Sequence, residues 1–192
     1  MDPHVTHNSG NDEWYTPSFI LDAARRTMGA FDCDPASSDF ANTLVRAKTY
    51  YTIETNGLMQ PWGRRVWMNP PYSRKLVNRF MEALRDRVQI GQVEEACVIS
   101  NNATETAWAR TILRIASSIC FLKSRVAFLD STGQVKHKPL QGQMVVFIGD
   151  HKEAFHREFF SLGTVVDVIR DPNTFDPRLS RIAATFQMEE CQ

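Results

Sequence analysis

Apolar and polar positions along the chain switch repeatedly between helical and extended spacing. Phe19, Ile20, Ala23, Ala24 and Met28 recur at helical intervals behind Pro17-Ser18 and stop at Gly29, which predicts a first helix. Ala30-Phe31-Asp32-Cys33 reads as a short strand halted by Asp34-Pro35, and the stretch on to Trp62 reads as irregular, with a strand near 49–52. Val66-Trp67-Met68 is a short buried strand stopped abruptly by Asn69-Pro70-Pro71. From Ser73 a helix runs through Leu76, Val77, Phe80, Leu84 and Val88 to Gly91. The alternation then continues as strand 96–100, helix 104–116, strand 118–122, a polar basic loop, strand 144–148, a helix from about Lys152 and strand 165–169.

Strands alternating with helices predict an α/β sandwich around a mostly parallel sheet. Strands 118–122 and 144–148 have no helical pattern between them, so they form an antiparallel hairpin with a long tip over 123–143. Residues 1–11 read as a flexible lead, and 12–192 as one domain without repeats or low-complexity segments.

Composition narrows the class without deciding it. At 192 residues, 43% hydrophobic and 23% charged, the chain is an ordinary globular protein. The N-terminus lacks the apolar core of a signal peptide, and no apolar run approaches membrane-spanning length. Cys33, Cys97, Cys120 and Cys191 are scattered, which suggests reduced thiols and neither a disulfide framework nor a zinc site. His4, His7, His137, His151 and His156 stand apart from acidic clusters and read as surface residues, so no metal is expected. Formal net charge is zero, which argues mildly against a nucleic-acid partner. Basic residues nonetheless gather at Arg64, Arg65, Arg74, Lys75 and Arg79, and again at Lys123, Arg125, Lys136, His137 and Lys138, so a local positive face is expected.

The sharpest chemical signal is Asn69-Pro70-Pro71-Tyr72 directly after a buried strand. Ligands of open α/β sheets bind beyond the carboxyl ends of strands, where this tetrapeptide sits. An amino group conjugated with an aromatic ring is a weak nucleophile because its lone pair is delocalised. Two acceptors aimed at its N–H groups, the Asn69 side-chain oxygen and the Pro70 carbonyl, push the nitrogen towards tetrahedral geometry and localise that pair. Paired prolines stiffen the loop and add no donors. Tyr72 offers a flat face to a base, a contact worth about 1–3 kcal/mol. A rigid turn ending a strand is the plain alternative.

The chain resembles the phage-type, Dam-like DNA N6-adenine methyltransferases. The resemblance runs from Asp12-Glu13-Trp14-Tyr15-Thr16-Pro17 through Phe31-Asp32-Cys33-Asp34-Pro35-Ala36, Asn56-Gly57-Leu58 and Trp62-Gly63 to Val66-Trp67-Met68-Asn69-Pro70-Pro71-Tyr72-Ser73. It continues more weakly through Ala103-Thr104-Glu105-Thr106 with Trp108, and through Lys123-Ser124-Arg125-Val126-Ala127-Phe128. It implies a class I S-adenosylmethionine-dependent methyltransferase fold, Rossmann-like, with an antiparallel terminal hairpin. The span between Asp34 and Val66 is too short for two full β–α units, so the cofactor half is abbreviated. The implied reaction is methylation of adenine N6 in double-stranded DNA, with the base flipped into the Asn69-Pro70-Pro71-Tyr72 pocket. The implied setting is a stand-alone phage or prophage enzyme that marks DNA against restriction in the bacterial host cytoplasm, with no obligatory protein partner and no membrane.

Residue by residue, the resemblance gives Tyr15, Thr16 and Pro17 to the methionine end of the cofactor, although Thr16-Pro17 is equally a helix start. Trp14 is either core or cofactor wall. Asp32, Asp34, Pro35 and Ala36 form the acidic end of the cofactor strand, with Asp32 alternatively a solvated strand-edge charge. The usual glycine-rich turn is absent, and Ser37-Ser38 stand nearby. Asn56 replaces the family's frequent Asp and either contacts the cofactor or simply makes a turn with Gly57. Phe128 is either a second stacking face or core. Ser73, Lys123, Arg125, Lys136 and Lys138 are assigned to DNA, with Gln134, Gln141 and Gln143 available to base edges. Thr104, Glu105 and Thr106 read as a helix start. Other planar amino groups (cytosine N4, an RNA base, a protein glutamine) and an inactive DNA-binding relative remain open alternatives.

Overall fold

The structure, a computed structural model, describes residues 14–130, 132–135 and 141–169. In chain order the elements are α1 (Ser18–Met28), β1 (Cys33–Asp34), α2 (Asp39–Val45), β2 (Thr49–Tyr50), a 3₁₀ turn (Gly57–Met59), β3 (Arg65–Met68) and α3 (Arg74–Gln89). They continue as β4 (Glu95–Asn101), α4 (Ala107–Leu113), β5 (Ser118–Leu122), β6 (Gln143–Ile148), α5 (Lys152–Phe159) and β7 (Gly163–Asp167).

The strands form one sheet in the order β2-β1-β3-β4-β6-β5-β7. The pairs β1–β2, β1–β3 and β3–β4 are parallel, whereas β6 runs antiparallel to both β4 and β5. This is the class I methyltransferase architecture, and the hairpin expected from the sequence is present. Its second strand, β6, inserts between β4 and β5.

Period-two alternation supplies a core on each face. Val66, Met68, Ala96, Val98, Val146 and Ile148 face α3 and α4, where Val77, Met81, Leu84 and Ile112 meet them. Trp67, Cys97, Ile99, Val145 and Phe147 face α1 and α5, where Ile20, Ala24, Phe155 and Phe159 meet them. Covered on both sides, the central strands read as continuous apolar runs. Cys33, Cys97 and Cys120 are buried and unbridged. Burial pushes the Cys33 thiol up to about 12 and the Cys120 thiol to about 11. Cys191 lies outside the described residues. No described helix is long and apolar enough to cross a membrane.

Several boundaries differ from the sequence reading. The 39–45 segment, read as irregular, is a helix: the Ser38 hydroxyl accepts the Ala41 N–H at 3.1 Å and Arg46 closes it in the left-handed region at φ 54°. The helix expected over 104–116 is shortened to Ala107–Leu113 because the Thr106 hydroxyl caps it by accepting the Ala109 N–H. The strand expected over 30–33 is confined to Cys33–Asp34. The last strand starts at Gly163, packed so closely on Phe121 that a Cβ there would lie 2.1 Å from the Phe121 carbonyl oxygen. That strand is an edge strand, antiparallel to β5 and largely exposed. The half of the sheet before β3 is indeed abbreviated. β1 and β2 hold two residues each, and the 3₁₀ turn is the one helical element between β2 and β3.

Candidate active site

From β1 the chain moves outward through α2 to β2, then returns to place β3 on the other side of β1. A crevice opens where strand order reverses in this way, at the carboxyl ends of β1 and β3. Asp34 ends β1 and Asn69 follows β3, so the sharpest sequence signal and the acidic residue implied by the resemblance converge there. Between them lies a cavity of about 790 Å³, within the range of cofactor and small-molecule sites. Its wall includes Tyr15, Thr16, Asp34, Pro35, Ala36, Asn56, Asn69 and Pro71, all singled out from the sequence.

The wall carries three features of a ligand site. Asp34 is buried, and burial pushes its carboxyl up to about 7 against the opposing pull of the Ala36 N–H and the Ser37 hydroxyl. A cationic ligand group would stabilise its ionised form. The Thr16 hydroxyl oxygen is buried with no hydrogen-bond partner among the described residues. Aromatic surface comes from Tyr15, packed edge-on against Phe40 at 4.8 Å, and from Tyr51. A ligand with a cationic end, hydroxyl groups and a flat ring fits this donor set.

Asn56 shows that its two readings are compatible. It adopts the left-handed conformation at φ 52°, making the turn into Gly57, while still lining the cavity. Gly57 is required by packing, since a Cβ there would lie 2.0 Å from the Pro35 carbonyl oxygen. The turn is held from outside by Arg87 of α3, whose guanidinium donates to the Leu58 and Gln60 carbonyls and lies over the Trp62 ring at 4.4 Å.

At the other end of the cavity, the Asn69 Nδ2 donates to the Trp14 carbonyl at 2.6 Å, and the Tyr72 hydroxyl donates to Asn69 Oδ1 at 3.2 Å. Tyr72 is half-buried, and desolvation raises its phenol. Pro70 is buried behind the loop, and Ser73 is the residue preceding α3. Arg79, one turn beyond Lys75 on α3, reaches the cavity wall; Phe40, Tyr51 and Leu76 also line it. None of these four was singled out as a site residue, though Arg79 stood in the first basic cluster.

Other assignments move away from the cavity. The Asp32 carboxylate grips Arg65 through its backbone N–H, Nε and terminal nitrogen at 2.9–3.1 Å, and Arg65 holds the Asp32 carboxyl below its ordinary value. Asp32 is absent from the wall, and a Cβ on Gly63 would come within 2.5 Å of it, so this pair fastens β1 to β3. Pro17 caps α1. Phe128, 2% exposed, belongs to the core, with its ring edge-on to Trp14 at 5.9 Å; it has no free face for a base. Trp14 itself is both core neighbour and cavity wall. Gln143 is buried and spent on the fold, accepting the Val126 N–H and donating to the Gln141 carbonyl. The Lys123 ammonium donates to the Ser161 carbonyl, while Arg125, Gln134 and Gln141 are exposed. Lys136, Lys138 and His137 lie outside the described residues, as do His4 and His7. His151 pairs with Glu95 at 2.6 Å and His156 with Asp167 at 2.7 Å.

Residues 4–172 match the family described as DNA N-6-adenine-methyltransferase (Dam). The protein of that description from Escherichia phage T1 is 27% identical, over 77% of this chain and 67% of its own. A protein of the same description from Haemophilus phage HP1 (strain HP1c1) is 31% identical, over 73% of this chain and 80% of its own.

Proposed function

Because the chain belongs to the DNA N-6-adenine-methyltransferase (Dam) family, we propose that it transfers a methyl group from S-adenosylmethionine to N6 of an adenine flipped out of double-stranded DNA. The observation that carries this reading is the placement of the Asn69 amide at the switch-point cavity, opposite a buried carboxylate.

When bound, S-adenosylmethionine supplies an electrophilic methyl carbon on a sulfonium. The buried Asp34 carboxylate and the Thr16 hydroxyl receive its charged and polar methionine end, and Asn56 with the 57–59 turn borders the ring end. Asn69 Oδ1 and the Pro70 carbonyl accept the two N–H bonds of the target amino group, localising the nitrogen lone pair on the side facing the methyl carbon. The localised pair would then be free to accept the methyl group that the cofactor supplies, and the surplus proton would leave nitrogen for solvent. Tyr72 gives up its bond to Asn69 Oδ1 as the base enters, and its ring becomes the stacking surface. No strong base is required, since positioning and electrostatics carry the step. Ser73, Arg125 and Lys123, with Lys136 and Lys138, contribute contacts to the duplex. We read it as a stand-alone modification enzyme of a phage or prophage, phages being the source of both relatives.

The test is incubation with labelled S-adenosylmethionine and unmethylated DNA, followed by digestion and mass spectrometry of the nucleosides. N6-methyladenine is expected from the wild type, and a drop in turnover of at least about a thousandfold from Asn69→Ala at unchanged cofactor affinity. Modified cytosine, or near-normal turnover by Asn69→Ala, would sink the assignment.

A further inference from the structure

A side-chain amide has two ends of nearly equal size, and only one of them can serve an amino group. Asn69 must present its oxygen, because the target N–H bonds need an acceptor. Nothing in the Asn-Pro-Pro-Tyr sequence itself chooses which end faces the cavity. The choice is made by a residue far away in the chain: the Trp14 carbonyl lies 2.6 Å from the amide. A carbonyl oxygen can only accept, so the group facing it is the NH₂, and Oδ1 is turned the opposite way. Resting Oδ1 already accepts a hydroxyl hydrogen, from Tyr72 at 3.2 Å. That hydrogen occupies the place an amino N–H would take.

We propose that the main-chain carbonyl of Trp14 is a positioning group for the reaction: by accepting from Asn69 Nδ2 it locks the amide with its oxygen towards the target amine. The inference rests on the reading of Asn69 as the acceptor for adenine N6. It also explains why an amide suits this chain at a position where a carboxylate would be an equal or better acceptor. The site needs a donor and an acceptor on one side chain, and an ionised Asp has no donor.

Trp14 is held in place to do this. The neighbouring Tyr15 exchanges both backbone hydrogen bonds with Leu129, at 3.1 and 2.9 Å, and the Trp14 ring rests on buried Phe128. The carbonyl is therefore tied to the base of the hairpin connection.

Asn69→Asp separates positioning from acceptance. Protonated, the new carboxyl donates O–H to the Trp14 carbonyl and accepts the amine N–H on its other oxygen, reproducing the amide. Ionised, it sets a negative oxygen against the Trp14 carbonyl and loses the tether. The titratable groups that share the cavity with it are Asp34, Asp39, Glu54, Arg79, Tyr15 and Tyr51, with Tyr72 on the same loop. Burial also raises the Asp34 carboxyl, so the variant-to-wild-type ratio is the quantity to read.

Single-turnover methylation of adenine is measured for both proteins at saturating S-adenosylmethionine, from about pH 5.5 to about pH 8.5. The ratio of variant to wild-type rate is expected to fall about tenfold per pH unit once the new carboxyl ionises. A ratio that stays constant overturns the proposal, whether the variant is fully active or inactive throughout. Thermal melting without DNA gives a second, independent readout. The deficit of Asn69→Asp relative to wild type should widen as pH rises, because a carboxyl whose pKa is raised by folding destabilises when ionised. A deficit independent of pH overturns the tether. If wild-type protein makes no N6-methyladenine, the proposed reaction fails, and the melting comparison alone decides the tether.

Discussion

Asp34 carries a cost in the ligand-free protein that a cationic ligand removes. Its carboxyl is pushed up to about 7 by burial, whereas in an unfolded chain it titrates near 4. Below the unfolded value the group is protonated in both states and costs nothing. As pH rises towards 7 its ionisation increasingly opposes folding, by at most about 4 kcal/mol. Asp34→Asn is therefore expected to melt higher than wild type at about pH 8 but not at about pH 4.5, and to bind S-adenosylmethionine far more weakly. Wild-type affinity should rise between about pH 6 and about pH 8, because binding then no longer has to expel a proton. Thermal melts and calorimetric titration across that window check both. A melting difference that is flat with pH would contradict the buried carboxylate. The Asp32–Arg65 pair two residues earlier shows how closely such roles sit, since a three-residue segment carries one carboxylate for the fold and one for the cavity.

Among the elements, α3 does more than cover the sheet. Arg87 in its last turn closes on the 57–60 turn that edges the cavity, donating to Leu58 and Gln60 and lying on Trp62. Arg87→Ala is expected to raise KM for S-adenosylmethionine about tenfold or more while leaving the Kd for DNA unchanged, as fluorescence titrations would show. Weakening of both in equal measure would mean general unfolding and would argue against a dedicated clamp. The central strands and α3 were legible from sequence because burial on two faces writes itself as apolar runs, as in Val66-Trp67-Met68 and 96–100. The α2 helix was not, because its single fully buried residue is Val45; only Ser38 followed by Asp39 signalled its start. For a related reason Phe128 stayed open between a stacking face and the core, and Gln143 was offered to base edges. Sequence cannot tell that a loop folds back beneath a sheet edge, and so reads its aromatic and amide groups as available. The Asn69-Pro70-Pro71-Tyr72 loop was legible as a motif, whereas its hydrogen bond to the Trp14 carbonyl carries no side-chain signature at all.

At the scale of the whole molecule, a net charge of zero leaves DNA affinity to local clusters. Arg125 is exposed in the connection after β5, and Lys123 stays exposed while bonded to Ser161. Replacing both by Ala should reduce the slope of log Kd against log salt by about 1–2, each phosphate contact contributing about 0.9. An unaltered slope would move the duplex to another face, with Lys75 and Arg79 of α3 the next positions to replace. The backbone exchange between Tyr15 and Leu129 bears on the life of the nascent chain. Tyr15 leaves the ribosome more than a hundred residues before its partner Leu129. Closing so large a loop is slow and is rewarded only when both ends have folded surfaces to join. The acceptor amide stays unset until the hairpin connection is in place. On the proposed reading, an unfinished chain, even one with its Asn-Pro-Pro-Tyr loop and most of its sheet already made, would be chemically silent towards DNA.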